Sequence, residues 1–390
     1  MKIIANWLAH ILSGLLVPAL ALAAESEPVK IGLVAALSGA SALSGEAITR
    51  GLNVAIDEIN ARGGVIGGRK LVLVRRDDES NPAKGQVAAR ELIEREKVAI
   101  VFGGIDTPVS IALVPVIHEL KVPYMGVWAA GTGITQNNQN PNYMFRVSVV
   151  DDLADKAMVN FAMKTYGAKK PAAMLINNPW GESNEKGLTK YIAQAGITNA
   201  GIEKFNNNDV DMAPQLSRLK ANSADAIFLV TNAPPGAQVM KSLQRVGWKV
   251  PVVSHWGITG GRFDELAGSA AKDVVFLQTY SFFGKQSPTG ERVMRALMAK
   301  YPEIKGPADI VSPVGTANAY DAMHLTALAL DKAGSAQPDK LREAFYTIGP
   351  WQGLIKNYVK PFSSGNHDAL TENDYIWAQY DGKNIVPARQ

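Results

Sequence analysis

The stretch VKIGLVAALSGASALSGEAITRGLNVAIDEINARGG, Val29 to Gly64, sets the reading of the whole chain. Val29–Leu37 is a run of small and branched apolar residues with no polar alternation, the pattern of a strand buried on both faces. Glu46–Arg62 then places Ile48, Leu52, Ala55, Ile56 and Ile59 on one face of a helix, and Gly63-Gly64 ends it. One apolar strand, one turn and one amphipathic helix make a βα unit. The unit recurs along the chain.

Working outward, Lys70–Arg75 and Pro82–Glu96 form a second pair, and Val98–Phe102 and Val109–Leu120 a third, followed by a short strand at Val122–Gly126. A second series starts near residue 150. It runs through helix Asp151–Tyr166, strand Ala172–Asn177, helix Ser183–Ala195, strand Ala200–Phe205, helix Met212–Ala221 and strand Ala226–Val230. Helix Gly236–Val246 and strands Val250–Val253 and Asp273–Thr279 complete it. Helices follow at Pro288–Lys300, Val314–Ala333 and Asp339–Thr347, and the segment from Trp351 alternates like short strands. The fold class read from this order is α/β, two doubly wound lobes. In such sheets ligands lie beyond the carboxyl ends of the strands.

The 390 residues suit two domains, and 47% hydrophobic with 19% charged residues describes a folded chain. The first two dozen residues differ in kind. Met1-Lys2, an apolar run from Ile11 to Leu22, and the small residues before Glu25 read as a secretory signal peptide over residues 1–24. A membrane anchor is the alternative, but the run is shorter than the roughly 20 residues a span requires. The expected location is therefore the periplasm. With no cysteine the exported chain would stand on its core alone. A formal net charge of +4 with scattered basic residues leaves no stripe for nucleic acid and no polybasic membrane patch.

Catalytic signatures are missing. The glycines of LSGASALSG do not match G-x-G-x-x-G, and there is no Walker A sequence, G-x-S-x-G elbow or H-E-x-x-H. No pair among His10, His118, His255, His324 and His367 has metal-ligand spacing, and His118 and His324 read as ordinary surface or packing residues. Asp77-Asp78-Glu79 reads as a solvated acidic turn, with a hard-cation site as the alternative. The sequence predicts no enzyme, no cofactor and no metal.

The strand-end loops hold the expected function. Ser44 lies in the first, Ile105-Asp106-Thr107 in the third, Trp128 and Ala130 in the fourth; Trp180, Asn232 and Trp256 come from the second series. Thr107 followed by Pro108 reads as a helix N-cap with Pro at the first helical position. Three tryptophans on strand-end loops of two lobes describe the wall of a cleft.

The quoted opening, with its DEINARGG and the later DDESNPA turn, and WGES after the first strand of the second series, resembles the periplasmic leucine/isoleucine/valine-binding proteins. These are type I solute-binding proteins of ABC transporters. The resemblance implies lobes of 25–147 with 281–374 and of 148–280 with 375–390, joined by three crossovers near Arg146–Val150, Gln278–Ser281 and Tyr375–Ile376. It implies a monomer that captures a small carboxylate ligand, an amino acid, and delivers it to an ABC permease. An aromatic carboxylate, an amide, or a sensory role with a separate partner are the alternatives. It places the ligand carboxylate on Thr107, where a helix N-terminus favours an anion. Trp128 and Ala130 stand where the family has a small residue and a Thr, and Trp180 where it has a Tyr. Asn232 stands where some members carry an aromatic, and Trp256 replaces the Glu that meets the ligand ammonium. Asp106 departs from the pattern; it either faces away in the turn or holds a ligand ammonium group.

Overall fold

The computed structural model describes residues 27–388, so the expected leader lies outside the described residues. Five strands, β1 (Val29–Ala35), β2 (Leu71–Asp77), β3 (Ile100–Gly103), β4 (Tyr124–Gly126) and β5 (Met144–Arg146), form one sheet in the order β2-β1-β3-β4-β5. Every pairing in it is parallel. Because neighbours on a strand point to opposite faces, Ile31 and Leu33 join one buried cluster and Val34 another. Against the first face lies helix α1 (Ala42–Ala61); against the second lie α2 (Pro82–Arg90) and α3 (Thr107–Leu120).

The second sheet is built from β6 (Ala172–Ile176), β7 (Gly201–Phe205), β8 (Ile227–Val230), β9 (Val252–Ser254) and β10 (Val274–Gln278), all parallel. Its helices are α4 (Asp151–Tyr166), α5 (Pro179–Gln194), α6 (Ala213–Ala221), α7 (Ala233–Arg245) and the short α8 (Phe263–Ala267). The chain then returns to the first sheet with α9 (Pro288–Lys300), α10 (Pro313–Ala333) and α11 (Pro338–Phe345) and a small hairpin, β11 (Trp351–Gln352) with β12 (Asn357–Tyr358). Helix α10 lies so close to α1 that a Cβ on Gly51 would stand 2.2 Å from the Thr316 carbonyl oxygen. Finally β13 (Ile376–Asp381) pairs antiparallel with β10, and β14 (Asn384–Pro387) with β13. The order of the second sheet is β14-β13-β10-β9-β8-β6-β7, and the chain crosses between the two sheets three times. Among the described residues no helix is long and apolar enough to cross a membrane.

Several boundaries differ from the sequence reading, and most differ the same way. Helices α1, α3, α5 and α7 begin two to four residues earlier than their apolar periodicity suggests, because polar residues, Pro and Gly fill their first turns. Ser44 and Trp180 therefore sit on first helical turns and not in loops. Thr107 is the first residue of α3 and not its cap; the cap position belongs to Asp106. Strand β5 escaped the sequence reading, since only three residues between a polar loop and the crossover form it. The Asp77–Glu79 turn is not simply solvated: Asp78 is buried and its Oδ1 accepts the Ser80 amide at 2.8 Å. His118 and His324 are packing residues, the first against Val114 and Tyr143, the second stacked on Trp351.

Candidate ligand site between the lobes

Strand order locates the site before any side chain is considered. In the first sheet the connections diverge between β1 and β3; in the second they diverge between β6 and β8. At such a switch point the loops leave in opposite directions and open a crevice at the carboxyl edge. Asp106 stands at one of these points. Trp180 and Asn232 stand at the other. The two edges face one another.

The contacts between them run through an aromatic row. Trp128 of the first lobe and Trp256 of the second are buried with ring centroids 6.0 Å apart. His255 lies 6.1 Å from Trp256 and 5.2 Å from Trp180. Two glycines of the second lobe permit this closeness. A Cβ on Gly260 would stand 2.6 Å from Ile105 Cδ1 and 3.8 Å from the Ser44 Cβ. One on Gly257 would stand 2.4 Å from the Trp180 ring and 2.9 Å from Asn232 Oδ1. Direct hydrogen bonds join the same faces: Thr132 N–H donates to Ser183 Oγ at 3.2 Å, and Ser312 Oγ–H to the Thr259 carbonyl at 2.8 Å.

All nine residues singled out in the sequence lie in or against this interface, but their hydroxyls are not equally free. Ser44 Oγ–H donates to the Ser41 carbonyl at 2.5 Å, inside its own helix turn. Thr107 Oγ1 accepts the Gly131 amide at 3.2 Å and so ties the third loop to the fourth. The Ala130 carbonyl accepts the Asp151 amide at 2.9 Å, fixing the start of α4 against the first lobe. Ile105 supplies apolar surface facing Gly260.

Asp106 and Asn232 are the two residues whose chemistry the geometry most changes. Each occupies a helix N-cap position, at α3 and α7, and neither side chain caps its own helix. Instead Asn232 and Ser80 approach the Asp106 carboxyl as hydrogen-bond partners, so the side chain does not face away. Burial pushes the Asp106 carboxyl above the usual range, opposed by those two bonds. Asp78 lies behind it; burial first, then the charges of Asp106 and Asp77, push its pKa up to about 7.

A second cluster, absent from the sequence reading, backs the Trp180 side. Trp180 Nε1–H donates to Asp151 Oδ1 at 3.1 Å, and His255 Nε2 lies 3.2 Å from the same oxygen. The Trp256 amide donates to His255 Nδ1 at 2.9 Å, which leaves the ring proton on Nε2, facing Asp151. Deeper on α4, burial and then the Asp151 and Asp152 charges push Asp155 far above the usual carboxylate range. The only hint of Asp151 in the sequence was its place directly after the first crossover.

Several buried polar atoms here have no protein hydrogen-bond partner, among them Asp106 Oδ2, Trp128 Nε1, Thr231 Oγ1 and Asp151 Oδ2. Buried donors and acceptors are nearly always paired. Arg146, fully buried near the same loops, already bonds Asp368 Oδ1 at 2.7 Å, Thr135 Oγ1 at 2.7 Å and the Gly131 carbonyl at 2.9 Å. Among the described residues no group of three or more His, Cys, Asp or Glu has the arrangement of a metal site.

Comparison with known proteins agrees with this architecture. The family described as periplasmic binding protein matches residues 28–384. The Leu/Ile/Val-binding protein BraC3 of Rhizobium johnstonii is 25% identical over 360 residues, 92% of this chain and 94% of its own. The type 1 periplasmic binding protein of Bordetella pertussis superposes with a TM-score of 0.84 at 22% identity, covering 93% of this chain and 100% of that one. A solute-binding protein of an R. palustris ABC transporter, solved with 4-hydroxybenzoate, superposes at 0.79 with 22% identity, covering 93% and 96%. At these identities the structural likenesses carry the fold.

Proposed function

The chain belongs to the periplasmic binding protein family, and from that membership we propose that it is the solute-binding component of an ABC importer of the branched-chain amino acid type. It captures a small carboxylate-bearing solute, an amino acid, between its lobes in the periplasm and delivers it as a monomer to a membrane permease. It performs no chemistry of its own. The lobes divide as 25–147 with 281–374 and 148–280 with 375–390, and the three crossovers act as the hinge.

The observation that carries this reading is the meeting of two switch-point edges, lined by aromatic rings and by buried polar atoms without a protein partner. A pocket of that kind, mostly apolar with a few convergent polar groups, is what small-molecule sites share. The R. palustris neighbour solved with 4-hydroxybenzoate and the Trp128–Trp256–Trp180 wall favour a second reading, an aromatic carboxylate as the solute. Screening amino acids and aromatic acids by thermal shift tests both, since a ligand of the folded state raises apparent stability by mass action. A rise in Tm with branched-chain amino acids supports the first reading, and a rise with benzoate-type acids alone supports the second. Turnover of a bound compound would contradict both.

A further inference from the structure

The unpartnered atoms around the Trp128–Trp256 contact do not ask for the same thing. An ionised carboxylate can only accept hydrogen bonds, and an indole N–H can only donate. Burial opposes ionisation of Asp106, so a solute ammonium beside Oδ2 is the partner that lets it carry its charge, while Trp128 Nε1 requires an acceptor. Asp106 follows Ile105 in the chain, and a Cβ on Gly260 would stand 2.6 Å from Ile105 Cδ1 and 3.7 Å from the Trp128 ring, so the two demands arise in one neighbourhood that a small molecule can serve. Among the described residues no cation acts on Asp106, and Arg146 is already held by Asp368, Thr135 and Gly131. Ser80 and Asn232 satisfy part of the Asp106 carboxyl, and Asn232 reaches it from the second lobe.

We propose that Asp106 is the specificity-determining residue of the cleft: its free carboxylate oxygen accepts an N–H of the solute, an ammonium or a carboxamide, while an oxygen of the same solute takes the Trp128 indole proton. The inference rests on the receptor reading above and narrows it to nitrogen-bearing solutes. It also assigns different work to the two N-cap residues. Asp106 touches the solute and discriminates. Asn232 positions Asp106 from across the cleft and acts on discrimination only through it. A purely anionic acid brings no cation to Asp106 and so gains nothing from its carboxylate, and that difference creates the specificity.

The test is calorimetric titration with matched pairs that differ in nitrogen: L-leucine against 4-methylpentanoate, L-phenylalanine against 3-phenylpropanoate, and benzamide against benzoate. In the wild-type protein at least one nitrogen-bearing member should bind tenfold or more tighter than its counterpart. Asp106→Asn should shrink that ratio at least tenfold for an ammonium ligand, and Asn232→Ala, which only loosens Asp106, should shrink it by a smaller factor. Equal binding within the pairs by the wild type, or an unchanged ratio in Asp106→Asn, overturns the inference and leaves the receptor reading standing. Failure of the wild type to bind any probe overturns both. Should Asp106→Asn fail to fold, the wild-type ratios alone decide.

Discussion

Asp78 shows how far a turn can move a side chain from its expected chemistry. It follows β2 among three acidic residues, yet it is buried with its pKa pushed up to about 7, first by burial and then by neighbouring carboxylates. The folded protein therefore keeps a proton there that the unfolded chain releases near the ordinary carboxylate range. Stability from this group is complete at acid pH and is lost as pH rises toward and through 7, by roughly 2–4 kcal/mol if the whole shift is expressed. Asp78→Asn should flatten that slope, because Asn keeps the oxygen that accepts the Ser80 amide. Urea denaturation of both proteins at pH 4.5 and 7.5 checks it; parallel losses in the two would show that Asp78 is not the group responsible. Thr107 sets a smaller test. Thr107→Val removes the acceptor of the Gly131 amide and should cost about 1–3 kcal/mol of unfolding free energy.

At the scale of elements, the site is assembled by helix starts that lean on their neighbours. Trp180 is held in the first turn of α5, whose cap Asn178 accepts the amides of Trp180 and Gly181 at 2.8 and 3.2 Å. Its ring then fills the space beside Gly257. Gly257→Ala would place a methyl 2.4 Å from that ring and 2.5 Å from the Thr231 carbonyl oxygen, so it should destabilise the protein by about 1–3 kcal/mol and alter tryptophan emission. An unchanged spectrum with unchanged stability would mean that this contact is not formed. The C-terminal segment is tied to β5 by the buried Arg146–Asp368 pair. Asp368→Ala leaves an uncompensated buried guanidinium, a loss of about 3–5 kcal/mol readable by denaturant titration.

The elements explain what was legible in advance. Strands such as Val29–Ala35 and Ala172–Ile176 announce themselves, because burial on both faces leaves only apolar residues. Helix α4 was read to its exact bounds from its periodicity and its terminal glycine. The candidate site residues follow from the strand ends, since ligands lie beyond them in such sheets. What could not be read was direction: Asp106 might have capped α3, and only the fold brings Ser80 and Asn232 to its carboxyl. Asp151, His255 and Thr231 look ordinary in sequence, since their significance lies in contacts that only the fold creates: Trp180 and His255 around Asp151 Oδ1, and buried atoms such as Asp151 Oδ2 and Thr231 Oγ1 left without a protein partner.

The whole molecule brings its two edges together through contacts that single glycines allow. Gly260 is the closest of these to the first lobe, with space for no side chain against Ile105. Gly260→Leu should hold the lobes apart, and solution scattering would report a larger radius of gyration than the wild type. Calorimetric titration of wild type and Gly260→Leu with the amino acid that most raises the wild-type Tm tests enclosure of the solute most directly. Saturable one-to-one binding is expected of the wild type and binding at least tenfold weaker of Gly260→Leu, about 1.4 kcal/mol, with both proteins equally folded. Equal affinity in the two would contradict enclosure of the solute between the lobes.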